Sequence, residues 1–194
     1  MSPEISRGPK GIIVPVSAER LTYIRELAND ERVHGVDTRA FNDEDWRRFG
    51  AEVDAETVEF CRNNANAEEL HAFVANWNWD KGTWGPEEIL GNPACEAATA
   101  LLIYWSCGPE FYLQYANREE VPDFLVDGFD LLTTIEARYV AGEFFPGLIA
   151  FDPANPADVP SGLSIVGVYD DARDKFVRAL PPLMYAPVRP ALLR

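Results

Sequence analysis

Cationic side chains are scarce in this chain. Its 17 Lys and Arg stand against 32 Asp and Glu, and the formal net charge is −15. A surface with that field repels nucleic acid and anionic lipid, so neither is an expected partner. Long apolar runs are missing as well. None approaches the roughly 18–20 residues of a membrane span, and no membrane helix is expected. Residues 1–10 hold no apolar stretch of the kind a secretory leader needs. Only three cysteines occur, Cys61, Cys95 and Cys107. An odd, sparse set without CxxC spacing points to reduced thiols in the cytoplasm and against a disulfide framework. Thiols of this kind act as small buried hydrophobes. The two histidines, His34 and His71, are far apart and neither adjoins a cysteine. That is too little for a zinc site, which needs three or four ligands at workable spacing. No GxxxxGKS/T or GxGxxG phosphate loop and no GxSxG elbow is present. No cofactor, metal or catalytic residue is therefore nominated, and the chain reads more readily as a non-enzyme.

What is present suffices for a folded body. Apolar residues make up 47% of the chain and aromatic ones 12%, which argues against disorder. With 194 residues, one domain is expected. The negative charge is unevenly placed. Residues 1–41 are neutral overall, residues 42–96 carry −9, residues 97–158 carry −8 and residues 159–194 carry +2. The middle of the chain thus holds the whole excess and should attract a basic protein and speed its encounter.

The spacing predicts a mainly α fold: a compact helical domain of six to eight helices, with short flanking strands or an irregular extension. The helical core spans about 17–141 and a loop-rich extension 142–194. A short strand is expected at residues 11–16. Ser17 then caps a helix through Leu21, Ile24 and Leu27. A second helix starts at Asn42 or Asp43 with Trp46 and Phe49, and a third follows Asp54 with Val58 and Cys61. Asn66 and Glu69 form a capping-box variant. Beyond it Leu70, Phe73, Val74 and Trp77 fall at i, i+3, i+4 and i+7, one core-facing stripe, with His71 off the stripe and toward solvent. Residues 78–85 have loop chemistry, and Pro86 suits the first position of a short helix through Ile89 and Leu90. Residues 94–106 are uncharged after Glu96, so that helix should be buried on most sides, with Gly108 past its end. Residues 124–140 read as one or two helices through Phe129, Leu132 and Ile135, stopped by Gly142. Short strands are expected at 148–151 and 164–169, and the tail 181–194, with four prolines, will not continue a helix.

Several pieces of the middle segment occur in a recognisable order: Glu69-Leu70-His71-Ala72-Phe73, Asn76-Trp77-Asn78-Trp79-Asp80 with Gly82, Pro86, Ile89-Leu90, Asn92-Pro93, Cys95, and Thr99-Ala100-Leu101-Leu102-Ile103-Tyr104-Trp105. In these, residues 69–105 resemble a bacterial family catalogued only as a domain of unknown function, number 4274. Some longer members continue through a stretch like residues 135–153. Members usually have Asp or a similar residue after the cysteine and Gly before the threonine; here Glu96 and Ala98 stand there, which bears on how that helix is capped. The resemblance implies a small helical domain and brings no established activity. Such genes look similar in setting and composition to those of immunity proteins that neutralise a neighbouring toxin.

The candidate partner-binding residues are Trp79, Asp80, Trp84, Glu87, Glu88, Glu119 and Glu120. Trp79 and Trp84 flank a turn, where tryptophans either anchor an interface and stack on sugars or fold back to staple the loop. The adjacent pairs Glu87-Glu88 and Glu119-Glu120 do not face one another if helical and read as solvated charge. The expected function is an acidic protein-binding module, in its specific form an immunity protein that occludes a basic toxin. The alternatives are an enzyme using carboxylates or a cysteine, and a carbohydrate-binding module using the loop tryptophans. The partner's identity and the oligomeric state are left open by the sequence.

Overall fold

The computed structural model describes residues 16–29, 36–158, 169–171 and 173–191. His34, residues 11–15 and 164–168 of two expected strands, and residues 192–194 of the tail lie outside the described residues. Six α-helices lie wholly inside them: α1 Ala18–Asn29, α2 Asp43–Glu59, α3 Ala67–Ala75, α4 Trp84–Gly91, α5 Ala97–Ser106 and α6 Val126–Val140. The fold is mainly α, as the periodicity predicts.

Local chemistry explains most boundaries. The Ser17 hydroxyl accepts the Arg20 amide at 3.1 Å and opens α1. Asn42 and Asp45 form a full capping box at α2, and Asn66 with Glu69 forms another at α3. Gly108 (φ 77°) lies just past α5, and Gly142 (φ 70°) follows α6, both left-handed.

Three expectations about the elements and their bounds are corrected. The helices expected before and after Asp54 are one, because Val53, Thr57, Phe60 and Cys61 continue a single buried face through the exposed Asp54. A π-helical turn, Phe60–Asn64, extends α2, with Ala65 N–H donating to Phe60 O at 3.1 Å. Pro86 is the third residue of α4; its missing N–H still falls among the unpaired first four. The expected strand at 148–151 reduces to an isolated antiparallel bridge between Phe151 and Val188, joined elsewhere by a parallel bridge between Glu96 and Phe145.

The helices pack in series. α3 lies against α1 on one side and α5 on the other, and α5 also packs on α6. The stripe Leu70, Phe73, Val74 and Trp77 is buried as its spacing predicts. Residues 97–105 are buried without exception. Because α5 covers the second side of α3, His71 does not face solvent. Its Nδ1 lies 3.1 Å from Thr99 Oγ1 on α5, its ring stands edge-on to Phe151, and burial lowers its pKa to about 4. The described residues beyond 142 join the same apolar cluster through Phe144, Phe151, Tyr169, Leu180 and Met184. Trp105 Nε1 donates to Met184 O at 2.8 Å, tying α5 to that extension. No helix among the described residues is long and apolar enough to cross a membrane.

Candidate functional site

The aromatic loop between α3 and α4 is built around Trp77. Its indole Nε1 donates to Gly82 O at 2.9 Å, and its ring lies against the start of α4. A Cβ on Gly85 would come within 2.7 Å of that ring, so only glycine admits the approach. Trp84 stands edge-on to Trp77 at 5.2 Å, and Lys81 Nζ sits about equally over both rings, at 5.0 and 5.1 Å. Trp84 is therefore half-buried and engaged in the loop's own packing. Trp79 is also half-buried, on a 3₁₀ turn Trp79–Lys81 whose Asp80 amide is accepted by Asn78 Oδ1 at 3.1 Å. Asp80 itself is exposed.

One hollow adjoins this loop, and a cleft lies beyond it along α4. A hollow of about 260 Å³ is lined by Trp79, Thr83, Cys107, Tyr112, Phe124 and Asp127. An open cleft of about 400 Å³ between α4 and α6 is lined by Glu87, Leu90, Asp127, Asp130, Thr134 and Arg138. Asp127 borders both, so they form one surface. Phe124, 85% exposed, stands at its edge.

The charges in the cleft differ in how they are held. Glu87 accepts the Thr83 hydroxyl. Both Asp130 oxygens accept from Arg118 Nε, at 2.9 and 3.0 Å. The Asp127 carboxylate makes no hydrogen bond or ion pair among the described residues. The cation, Arg138, is committed elsewhere: it donates to Leu90 O at 2.8 Å, pairs with Glu143 at 3.1 Å and lies over the Phe144 ring. The cleft thus offers carboxylate oxygens to a cation from outside.

Of the residues nominated from the sequence, Trp79 and Glu87 meet on this surface through Asp127. Glu119 and Glu120 are exposed on the turn Arg118–Glu120, which the Arg118–Asp130 pair fastens to α6. Glu120 also accepts the Ala116 amide and the Asn117 side chain. Glu88 is drawn away into a two-point pair with Arg62, at 2.9 and 2.7 Å. Sequence reasoning missed Asp127, Asp130 and Phe124. The i, i+3 spacing of the two aspartates on α6 was the available signal.

Nucleophilic chemistry finds little support. Burial pushes the thiols of Cys61, Cys95 and Cys107 up to about 12, which holds them protonated. Among the described residues no three His, Cys, Asp or Glu converge as metal ligands. Glu96 occupies the N-cap position of α5 but makes no cap bond. Its carboxylate instead accepts the amides of Leu148 and Ile149, both at 3.0 Å. Burial raises its pKa while those amides oppose the rise. Gly147 makes room for it, since a Cβ there would sit 1.8 Å from the carboxyl carbon.

These features define a mainly α-helical domain with an acidic, aromatic-edged surface between α4 and α6. Residues 65–140 match the family described as Domain of unknown function (DUF4274), so the resemblance read over 69–105 holds and extends through α6. No curated protein and no solved structure matches the chain significantly.

Proposed function

We propose that the chain is an acidic protein-binding module whose α4/α6 cleft receives a basic side chain of a protein partner, in its specific form an immunity protein that occludes a basic toxin. The observation that carries this reading is Asp127, an unpaired carboxylate flanked by Glu87 and Asp130 and shared with the hollow beside Trp79 and Phe124. A Lys or Arg in the cleft meets up to three carboxylates, while an apolar neighbour on the partner covers Phe124. The −9 and −8 carried by residues 42–96 and 97–158 support steering of such a partner. No observation favours the enzymatic or carbohydrate-binding alternatives over this one. The thiols are protonated, and the Trp84 ring is spent inside the loop.

The test is co-expression with the product of the neighbouring gene, followed by affinity measurement at low and high salt. Asp127→Lys combined with Glu87→Lys should weaken binding by about tenfold or more at low salt and flatten its salt dependence. Unchanged affinity and salt dependence in that variant would rule out the cleft as the contact.

A further inference from the structure

The hollow beside Trp79 has a lining unlike that of the cleft next to it. The cleft presents the carboxylates of Glu87, Asp127 and Asp130, whereas the hollow presents the aromatic side chains of Trp79, Tyr112 and Phe124 with Asp127 as its single charge. No cationic side chain lines it. Lys81, on the same loop, is held over the Trp77 and Trp84 rings.

The aromatic residues come from separate segments. Trp79 opens the turn Trp79–Lys81, Tyr112 follows the turn Pro109–Phe111, and Phe124 lies in the turn Asp123–Leu125 that leads into α6. None of them makes a contact with another ring or with a cation among the described residues, whereas Trp77 and Trp84 are paired at 5.2 Å. Tyr112 is 9% exposed, Trp79 half-buried and Phe124 85% exposed, so the hollow closes at Tyr112 and opens at Phe124. The Tyr112 hydroxyl lies against Gly128, where a Cβ would come within 2.2 Å of it. The missing side chain at Gly128 thus lets Tyr112 reach the start of α6, next to Asp127.

This lining selects among cations. A primary ammonium or a guanidinium carries several N–H donors, each of which needs an acceptor once water is stripped away. The hollow offers them one carboxylate, and its Thr83 hydroxyl already donates to Glu87. A quaternary ammonium has no N–H to satisfy and is attracted by aromatic faces. The geometry points to the hollow as a binding site for a quaternary ammonium group, with its methyls against Trp79, Tyr112 and Phe124 and its charge toward Asp127. At about 260 Å³ the space falls below the roughly 300–1,000 Å³ of sites for drug-sized ligands, which suits a head group. That group arrives on a small molecule of the choline type or on a trimethylated lysine of the protein partner. The site rests on the proposed function in one respect, that Asp127 receives a cation from outside. It differs in needing the aromatic residues and not Glu87 or Asp130.

The test is calorimetric titration of the full chain with tetramethylammonium, with choline and its uncharged carbon isostere dimethylbutanol, and with a short peptide bearing either trimethyllysine or plain lysine. Tetramethylammonium and choline should bind saturably at one site, and the isostere about tenfold more weakly or worse. Phe124→Ala changes an exposed side chain and should weaken choline about two- to fivefold. Asp127→Asn should weaken it about tenfold. The tighter of choline and the trimethyllysine peptide assigns the source of the group. Absence of quaternary ammonium binding, equal affinity for choline and its isostere, or wild-type affinity in both variants would each overturn the site. Partner binding by a chain that takes no quaternary ammonium overturns the site alone, and choline binding by a chain that takes no basic partner overturns the proposed function alone.

Discussion

Over its 17 residues α2 buries only Val53 and Thr57, whereas residues 97–105 of α5 are all buried. The two helices are held by different forces. α2 is specified by local chemistry. Asn42 Oδ1 accepts the Glu44 and Asp45 amides at 2.8 and 3.0 Å, and three acids in the first turn suit the helix dipole. Its aromatic residues Trp46 and Phe49 cluster with Phe41, outside the main apolar core. α5 has no side-chain cap and no charge; it forms because α3, α6 and the extension surround it. The contrast shows where this fold tolerates change. The peripheral helix α2 rests on short-range contacts, and the central helix rests on packing.

The sharpest way to break that contrast is a pair of alanine substitutions. Leu102→Ala in α5 removes a fully buried side chain and should cost about 2–5 kcal/mol. Glu52→Ala, exposed on α2, should stay within about 0.5 kcal/mol. Equal losses in denaturant unfolding would mean that the two helices are not held differently.

The α3–α5 contact should also make the core sensitive to acid. His71 titrates near 6.5 when unfolded and near 4 when folded, because burial disfavours its charged form. The unfolded chain therefore binds the proton first. The stability linked to neutral His71 is present above pH ~6.5 and is lost as pH falls toward about 4, up to about 3 kcal/mol in all. Unfolding measured across that window should be flatter in His71→Gln than in the parent chain. An unchanged pH slope would show that the ring is not held neutral against Thr99.

Next in size is the α2 cap. Asn42→Ala removes both amide contacts and should cost about 1 kcal/mol, read by chemical denaturation. An effect on the scale of Leu102→Ala would place α2 among the packing-dependent elements.

How much of this was legible in the sequence follows the same division. The caps at Ser17, Asn42 and Asn66, the stripe through Phe73 and Trp77, and the glycine after α5 are local patterns, and each can be read along the chain. The run through Asp54 was not, because an N-cap residue type inside a helix imitates a boundary unless the buried face on both sides is followed. His71 was misplaced because a single helix shows one stripe, while α3 is covered on two sides. At the candidate site, Trp79 and Glu87 were legible as residue types in a loop and on a short helix. That Glu88 is diverted to Arg62, 26 residues away in sequence, and that Asp127 lies open between two hollows, depends on how separate segments meet. The same holds for Arg178 and Glu136, paired across 42 residues.

The smallest effect expected is a gain. Gly50 lies in the interior of α2, and a Cβ built there meets nothing within 4 Å. Glycine in a helix interior loses more backbone entropy on folding than alanine, so Gly50→Ala should stabilise the chain by about 0.5–1 kcal/mol. The same change at Gly85, where a Cβ would strike the Trp77 ring, should destabilise it. The pair separates propensity from packing with one chemical edit. If Gly50→Ala also lowered the melting temperature, some part of the chain must cover that face of α2, and the claim that local chemistry specifies the first half of the helix would have to be withdrawn.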